Sequence, residues 1–297
     1  MDTVRVPGRP LPVLRTHTSL SRRIRWTTLS DSPFLSKSGS SVSLQHLAVV
    51  MPAYNEAEGL PGFLDEILEH ITPLAERVSL IVVNDRSTDQ TASVLTSLEK
   101  ELPQLVVVTA EDNRGHGPTA LAAYRAGLAL APDALVHVDG DGQFLGTDFP
   151  RILKALQLPG VEVVHGVRQK RTDPWYRAAL TGCVGALAAL VVGSRIPDVN
   201  TPLRAYRPAA ISQLLDVVPE DALVPHVHFS LAERRLGFVV RYVKVLSIPR
   251  RGSTAAGTMW GEAVAIPKLP PKRLRDFSRR AIAEVWRVSL KPGRARP

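Results

Sequence analysis

The stretch "VHVDGDGQF", residues 136–144, governs the reading of the whole chain. An apolar run stops at two carboxylates one residue apart, Asp139 and Asp141, each followed by glycine. Aspartate is a poor strand residue, and two like charges side by side repel. The pair can cap a turn, or it can grip a cation. Hard oxygen ligands suit Mg2+ or Mn2+, ions that keep several waters and bind through one or two carboxylates together with substrate phosphates. An EF-hand calcium loop does not fit, because Gln143 and Phe144 break its start and Pro150 stands at the twelfth position.

Upstream, short apolar runs alternate with helical periods. "LAVVMP" (47–52), "RVSLIVVND" (77–85), "LVVVTA" (105–110) and "ALVHVDGDG" (134–142) read as buried strands. Between them, 56–71 carries Leu60, Phe63, Leu64, Ile67, Leu68 and Ile71 at helical spacing; 87–102 reads as a helix capped by Ser87 or Thr88 with Asp89 in its first turn; and 117–131 as a helix with Pro118 near its start. Downstream the spacing predicts a helix near 149–157, a strand over 161–168, a long helix from Pro174, a helix over 222–237, a strand over 238–248 and a helix over 273–290. Strands alternating with helices imply an α/β fold, a Rossmann-like, mostly parallel sheet with helices on both faces. Ligands in such sheets gather at the carboxyl ends of the strands. The clusters Tyr54-Asn55-Glu56, Asn84-Asp85-Arg86, Asp112-Asn113-Arg114 and Asp139–Gln143 all follow strand ends, so four segments converge on one rim.

Two other phosphate-binding patterns fit poorly. "GHGPTA" (115–120) matches a dinucleotide fingerprint, but residues 110–114 separate it from its strand, and that strand is the third rather than the first. There is no Walker A sequence.

The composition is that of an ordinary globular chain, 297 residues with 44% hydrophobic and 22% charged. One cysteine, Cys183, excludes an intramolecular disulfide and fits a reducing compartment; set in an apolar segment, it has no charged activator beside it. The net charge of +9 lies at the ends: seven Lys/Arg against two Asp/Glu in residues 1–44, and ten against two in 268–297. The middle is mildly acidic. Basic ends suit an anionic surface or serve as solubilising tails; without a basic patch across the middle, a nucleic-acid binder is disfavoured. Residues 1–44 read as a disordered basic extension without the apolar core of a signal peptide, 45–254 as the main domain, and 255–297 as a basic helical tail. The run "AALTGCVGALAALVVG" (178–193) would make a helix of roughly 24 Å, short of the roughly 30 Å hydrocarbon core. It reads as buried or membrane-lying rather than spanning.

"VVMPAYNEAEGL", "IVVNDRSTDQT", "NRGHGPTALAAYRAG" and "VDGDGQF" occur in that order and resemble the signatures of the family 2 glycosyltransferases with the GT-A fold. "HGVR" (165–168), "DPWYRAALTG" (173–182), "DVNTPLRAYRP" (198–208) and "IPRRGST" (248–254) resemble, more loosely, later motifs of the dolichol-phosphate mannose synthase and polyprenyl-phosphate sugar transferase branch. The resemblance implies a metal-dependent, inverting transfer of a sugar from a nucleoside-diphosphate sugar to a polyprenyl phosphate. It further implies that Pro52, Tyr54 and Glu56 line the nucleotide pocket, that Asp85 contacts the base, and that Asp139 and Asp141 bind Mg2+ or Mn2+ with Gln143 as a third ligand. Arg168, Arg204 and one of Arg250 or Arg251 would hold phosphates; Arg177 and Thr181 would meet the acceptor phosphate.

Some positions depart from the family pattern. Asn84 replaces an acid, Arg86 a frequent glycine and Pro202 a glycine, and "RRGST" lacks a lysine that often follows that motif. A phosphate acceptor is already ionised and requires no strong base. A hydroxyl acceptor on a glycan, lipid or small molecule would require one, with Asp198, Glu220, Asp221, His226 and His228 as candidates, the two histidines being otherwise ordinary helix or core residues. A third reading is a degenerate domain that binds a nucleotide or partner without turnover. A lipid acceptor would bring the protein to the cytoplasmic membrane face, where the basic tail with Phe277 and Trp286 could lie.

Overall fold

The computed structural model describes residues 44–169, 193, 195–252 and 272–290. The N-terminal extension before Leu44, the acceptor-site candidates Arg177 and Thr181, Cys183 and most of the apolar run 178–193 lie outside the described residues.

The chain runs β1 (Leu44–Ala53), α1 (Leu60–Ile71), β2 (Ala75–Asn84), α2 (Thr91–Glu101), β3 (Leu105–Thr109), α3 (His116–Ala129), β4 (Ala134–His137), α4 (Asp148–Leu156), β5 (Val163–Gln169), β6 (Arg204–Tyr206), α5 (Pro208–Val217), α6 (Pro225–Leu236), β7 (Val240–Leu246) and α7 (Lys272–Val285), the last continued by a wide turn over 286–290. Seven strands form one sheet in the order β3-β2-β1-β4-β6-β5-β7. All neighbouring pairs are parallel except those of β6, which runs antiparallel to both β4 and β5.

Strand β1 explains the layering. It pairs with β2 on one side and β4 on the other, and every residue except Gln45 is buried. Such continuous apolarity is what a parallel strand covered on both faces requires. Leu47, Val49 and Met51 pack beneath α1 and α4, with Phe63, Ile67, Phe149 and Ile152. Ala48 and Val50 face the other layer, with Leu121 and Tyr124 of α3, Leu214 of α5 and Phe229 of α6. The order turns back at β1, with β2 and β3 to one side and β4 to the other. The crevice at such a switch point is where an α/β sheet receives its ligand.

Several boundaries differ from the sequence expectation. Helix α2 starts at Thr91, not near Ser87, because Ser87 and Thr88 spend their polar groups on Asn55 rather than on capping. Strand β4 is four residues long and ends before the carboxylates, so Asp139–Gln143 is a turn. Strand β6 and helix α5 were not anticipated; three residues are too few to show a period. In α7, Leu274, Ala281 and Val285 face the body as expected.

Candidate active site

Two loops at the carboxyl ends of β1 and β2 are clipped together by one asparagine. Asn55 adopts φ 56°, a left-handed conformation that asparagine tolerates better than most residues. Its Oδ1 accepts the N–H of Thr88 at 2.8 Å, and its own N–H donates to Ser87 Oγ at 3.0 Å. The Glu56 N–H donates to Thr91 Oγ1 at 2.8 Å. The consequence is that Glu56 is buried and aimed inward. Pro52 is buried and offers its carbonyl to the Gly140 N–H at 3.1 Å, which ties β1 to the carboxylate turn; Tyr54 is half-buried beside it.

Glu56, Asp139 and Asp141 sit close enough to repel. Burial lifts the Glu56 carboxyl to about 7 against the pull of Arg250, with Asp141 and then Asp139 adding to the rise. Burial and then Asp139 push Asp141 up to about 6, opposed by the Gln143 backbone N–H, Arg250 and His116. Oδ1 of Asp139 has no hydrogen-bond partner among the described residues. Gln143 gives its backbone N–H to Asp141 Oδ1 at 3.2 Å, so the contact described between it and the pair is a main-chain one.

The two arginines of "IPRRGST" separate cleanly. Arg250 pairs with Glu56 (2.7 Å) and donates to the Asn55 carbonyl (3.0 Å), on the rim. Arg251 runs beneath the carboxylate turn, donating to the Gly142 carbonyl at 3.1 Å, pairing with Glu66 and lying over the Phe63 ring. Arg250 is therefore the one that reaches the rim, while Arg251 lies below it.

Asp85 spends both carboxylate oxygens on the chain itself. It accepts the N–H of Arg114 (2.8 Å) and of Gly115 (2.9 Å), which fixes the start of α3. Arg86 has φ 52°, the conformation a glycine would take without strain, which explains why glycine suits that position. Downstream, Arg168 forms a two-pronged pair with Asp198 (2.8 and 3.0 Å) at the end of β5.

Arg204 corrects the expectation of a phosphate contact. It is fully buried, and its donors go to the carbonyls of Thr201 (2.8 Å) and Val199 (3.0 Å), to Ser230 Oγ (2.9 Å) and, at 3.4 Å, to Glu233. No phosphate from solvent reaches it in this arrangement. His226 and His228 also lie inside, against Tyr124 (3.1 Å) and against Ser289 and Glu284 (2.6 and 2.9 Å), so neither serves as a rim base. Glu220 and Asp221 are exposed, Glu220 in an ion pair with Arg125.

One rim residue escaped the sequence reading. His116, the first residue of α3, places Nε2 3.6 Å from Asp139 Oδ1, at ion-pair distance from an oxygen without a hydrogen-bond partner among the described residues. In the sequence, "GHGPTA" shows the glycine spacing of a dinucleotide pattern, and the histidine between the glycines carries no signal of its own.

The profile described as Glycosyl transferase family 2 matches residues 48–215, more than half of the chain. The chain belongs to glycosyl transferase family 2. This member is 29% identical over 192 residues to the undecaprenyl-phosphate 4-deoxy-4-formamido-L-arabinose transferase of Serratia proteamaculans (strain 568), covering 64% of this chain and 58% of that protein. The protein of the same name from Edwardsiella ictaluri (strain 93-146) is 25% identical over 203 residues, covering 68% and 61%. The chain thus spans about three-fifths of the length of these relatives. Its structure is similar to glucosyl-3-phosphoglycerate synthase from Mycobacterium tuberculosis in complex with Mn2+, uridine-diphosphate and phosphoglyceric acid, at 18% identity and TM-score 0.60, covering 84% of this chain and 80% of that one. The same enzyme with Mn2+ and UDP-glucose gives TM-score 0.57 at 18% identity, covering 84% and 81%. The fold of this glycosyltransferase is GT-A, as the resemblance implied.

Proposed function

We propose that this glycosyltransferase uses a divalent cation, Mn2+ or Mg2+, to hold a nucleoside-diphosphate sugar and transfers the sugar with inversion to a phosphate-bearing acceptor, a polyprenyl phosphate in the first instance. The observation that carries this is the excess of carboxylate on the rim: Glu56, Asp139 and Asp141 face one paired arginine, with an aspartate oxygen left unsatisfied. Among the described residues no three His, Cys, Asp or Glu side chains are grouped so as to hold a metal ion. An open carboxylate pair fits an ion that brings its own waters and phosphates. The names of the curated relatives support the lipid-phosphate acceptor, and the solved structures with Mn2+ and UDP support the donor.

The chain's own residues divide the work. Asp139 and Asp141 would hold the ion, which when bound supplies charge neutralisation on the departing diphosphate. Arg250, on Glu56, faces the anionic donor. Arg168, steadied by Asp198, would hold the acceptor phosphate, the role the family resemblance also implies for Arg177 and Thr181. An acceptor phosphate oxygen attacks C1 of the sugar as the bond from C1 to the diphosphate oxygen breaks, so no proton has to leave the nucleophile.

Peripheral membrane contact follows from the same acceptor. Trp286 and Ile282 are exposed on α7 and its extension, beside Arg275, Arg279 and Arg287, a surface suited to anionic lipid. No helix among the described residues is long and apolar enough to cross a membrane. Flotation with anionic vesicles at physiological salt tests this contact, and failure to float rejects it.

The decisive experiment is a donor screen. Nucleoside diphosphate release from UDP- and GDP-sugars is followed with Mn2+ or Mg2+, with and without polyprenyl phosphate. Release that depends on both ion and lipid phosphate is expected. Ion-dependent release with a hydroxyl acceptor instead would favour the second reading, and no release with any donor would favour a domain without turnover.

A further inference from the structure

Arg251 has no role in the function so far, yet the carboxylate turn is built around it. Two main-chain bonds fasten the segment after β7 to that turn. The Ile248 N–H donates to the Gln143 carbonyl and the Arg251 N–H to the Asp141 carbonyl, both at 3.1 Å. The Arg251 side chain then passes beneath, where Nε donates to the Gly142 carbonyl at 3.1 Å and Nη2 to the Phe144 carbonyl at 3.4 Å. One residue thus receives the carbonyls of Asp141, Gly142 and Phe144. A turn outside helix and strand has no ladder to satisfy such groups. Glu66 of α1 completes the brace: it pairs with the Arg251 guanidinium and accepts the Gly146 N–H at 2.6 Å.

The fit leaves little slack. A Cβ at Gly59, just ahead of α1, would stand 2.6 Å from the Arg251 carbonyl oxygen, and the guanidinium lies 5.2 Å from the centre of the buried Phe63 ring. The guanidinium donors are fixed in one plane, so bonds to two carbonyls and a carboxylate together dictate how the turn is tilted. A lysine ammonium is a point charge on a flexible stem; it can keep the pair with Glu66 but not that geometry. Arg250, on the same segment, turns the other way, to Glu56 and the Asn55 carbonyl. Segment 248–251 therefore sets Asp141 and Arg250 relative to each other.

We propose that Arg251 is a positioning residue for donor binding: from beneath, without touching the donor, it holds the Asp141 turn and the backbone of Arg250 in the orientation that receives the donor diphosphate. The inference rests on the donor reading of the site.

The test compares the unaltered chain with Arg251→Lys and Arg251→Met. UDP and GDP binding with Mn2+ is measured by calorimetry, beside donor KM, kcat and melting temperature. Arg251→Lys should melt close to the unaltered chain, yet bind the nucleoside diphosphate roughly tenfold more weakly. Its donor KM should rise by a similar factor with kcat little changed, the pattern of lost ground-state binding. Arg251→Met should show at least that loss and a lower melting temperature. Normal binding in Arg251→Lys, with loss only in a variant that melts lower, makes Arg251 a brace of the fold alone and overturns the proposal. A fall in kcat at unchanged KM overturns it too, since that places the guanidinium on the reacting groups. Should Arg251→Lys not fold, Glu66→Gln takes its place: it keeps an acceptor for Gly146 but releases the guanidinium, and an unchanged donor KM there overturns the proposal. Failure of the unaltered chain to bind either nucleoside diphosphate with Mn2+ overturns the donor reading and this inference together.

Discussion

Two clusters of charge in this chain are answered in opposite ways. Inside, Arg204 is enclosed by Glu233, His165, Tyr206, Ser230 and two carbonyls. His165 and Arg204 hold the Glu233 carboxyl below its usual range although burial pushes the other way. On the rim, Glu56 and Asp141 are pushed up, to about 7 and about 6, because burial and mutual repulsion outweigh Arg250. A protein-satisfied cluster is a strut; Arg204 props the loop 198–203 against β5. An unsatisfied one is a socket, and its deficit states the charge of what fits it.

The largest effect expected from breaking this contrast is at the socket. Asp141→Asn should lower donor turnover by about 10³-fold, the scale of losing one transition-state stabiliser, with an unchanged circular dichroism spectrum. Retained turnover would end the socket argument. At the strut, Glu233→Ala leaves a buried guanidinium without its counter-charge and should cost about 3–5 kcal/mol, read as a lower melting temperature. The pair Glu233→Met with Arg204→Met should recover much of that loss, since it removes both charges. A smaller effect is expected beneath the socket. Gly142 has φ 65°, and a Cβ there would stand 2.6 Å from Arg251 Cδ. Gly142→Ala should cost about 1–2 kcal/mol and raise the KM for donor more than it lowers kcat, because it tilts the turn that carries Asp141.

The smallest effect is on pH, and its sign separates the two clusters. Folded Asp141 and Glu56 keep their protons to higher pH than the unfolded chain does, from ordinary values of 3.8 and 4.5 up to about 6 and about 7. In that window the folded state binds more protons, so stability falls as pH rises between about pH 4 and pH 7. Without cation, Asp141→Asn should flatten this slope and melt higher at neutral pH, by about 2–4 °C for a gain on the order of 1 kcal/mol. Melting curves at several pH values check it; an unchanged slope would mean the repulsion is screened. Glu233, held low, contributes the opposite slope: its stabilisation is present above its unfolded value and is lost on acidification.

Much of the scaffold was legible because periodicity is local. The apolar runs of β1 and β2 and the helical stripes of α1 and α4 announce themselves within ten residues, and strand ends locate the rim. Arg204 was misplaced because "TPLRAY" places its arginine in a family motif, while burial depends on Glu233 and Ser230, which come from α6. His116 was overlooked because its partner Asp139 is distant along the chain.

The sequence by itself determined the parallel strands β1 to β4, their rim and the carboxylate pair, since these rest on residue type and short-range spacing, but not the antiparallel insertion of β6. Only the tertiary structure decided which charges are matched. Whether an arginine is a strut or a ligand-holder depends on groups brought together from distant segments, and on whether water still reaches them.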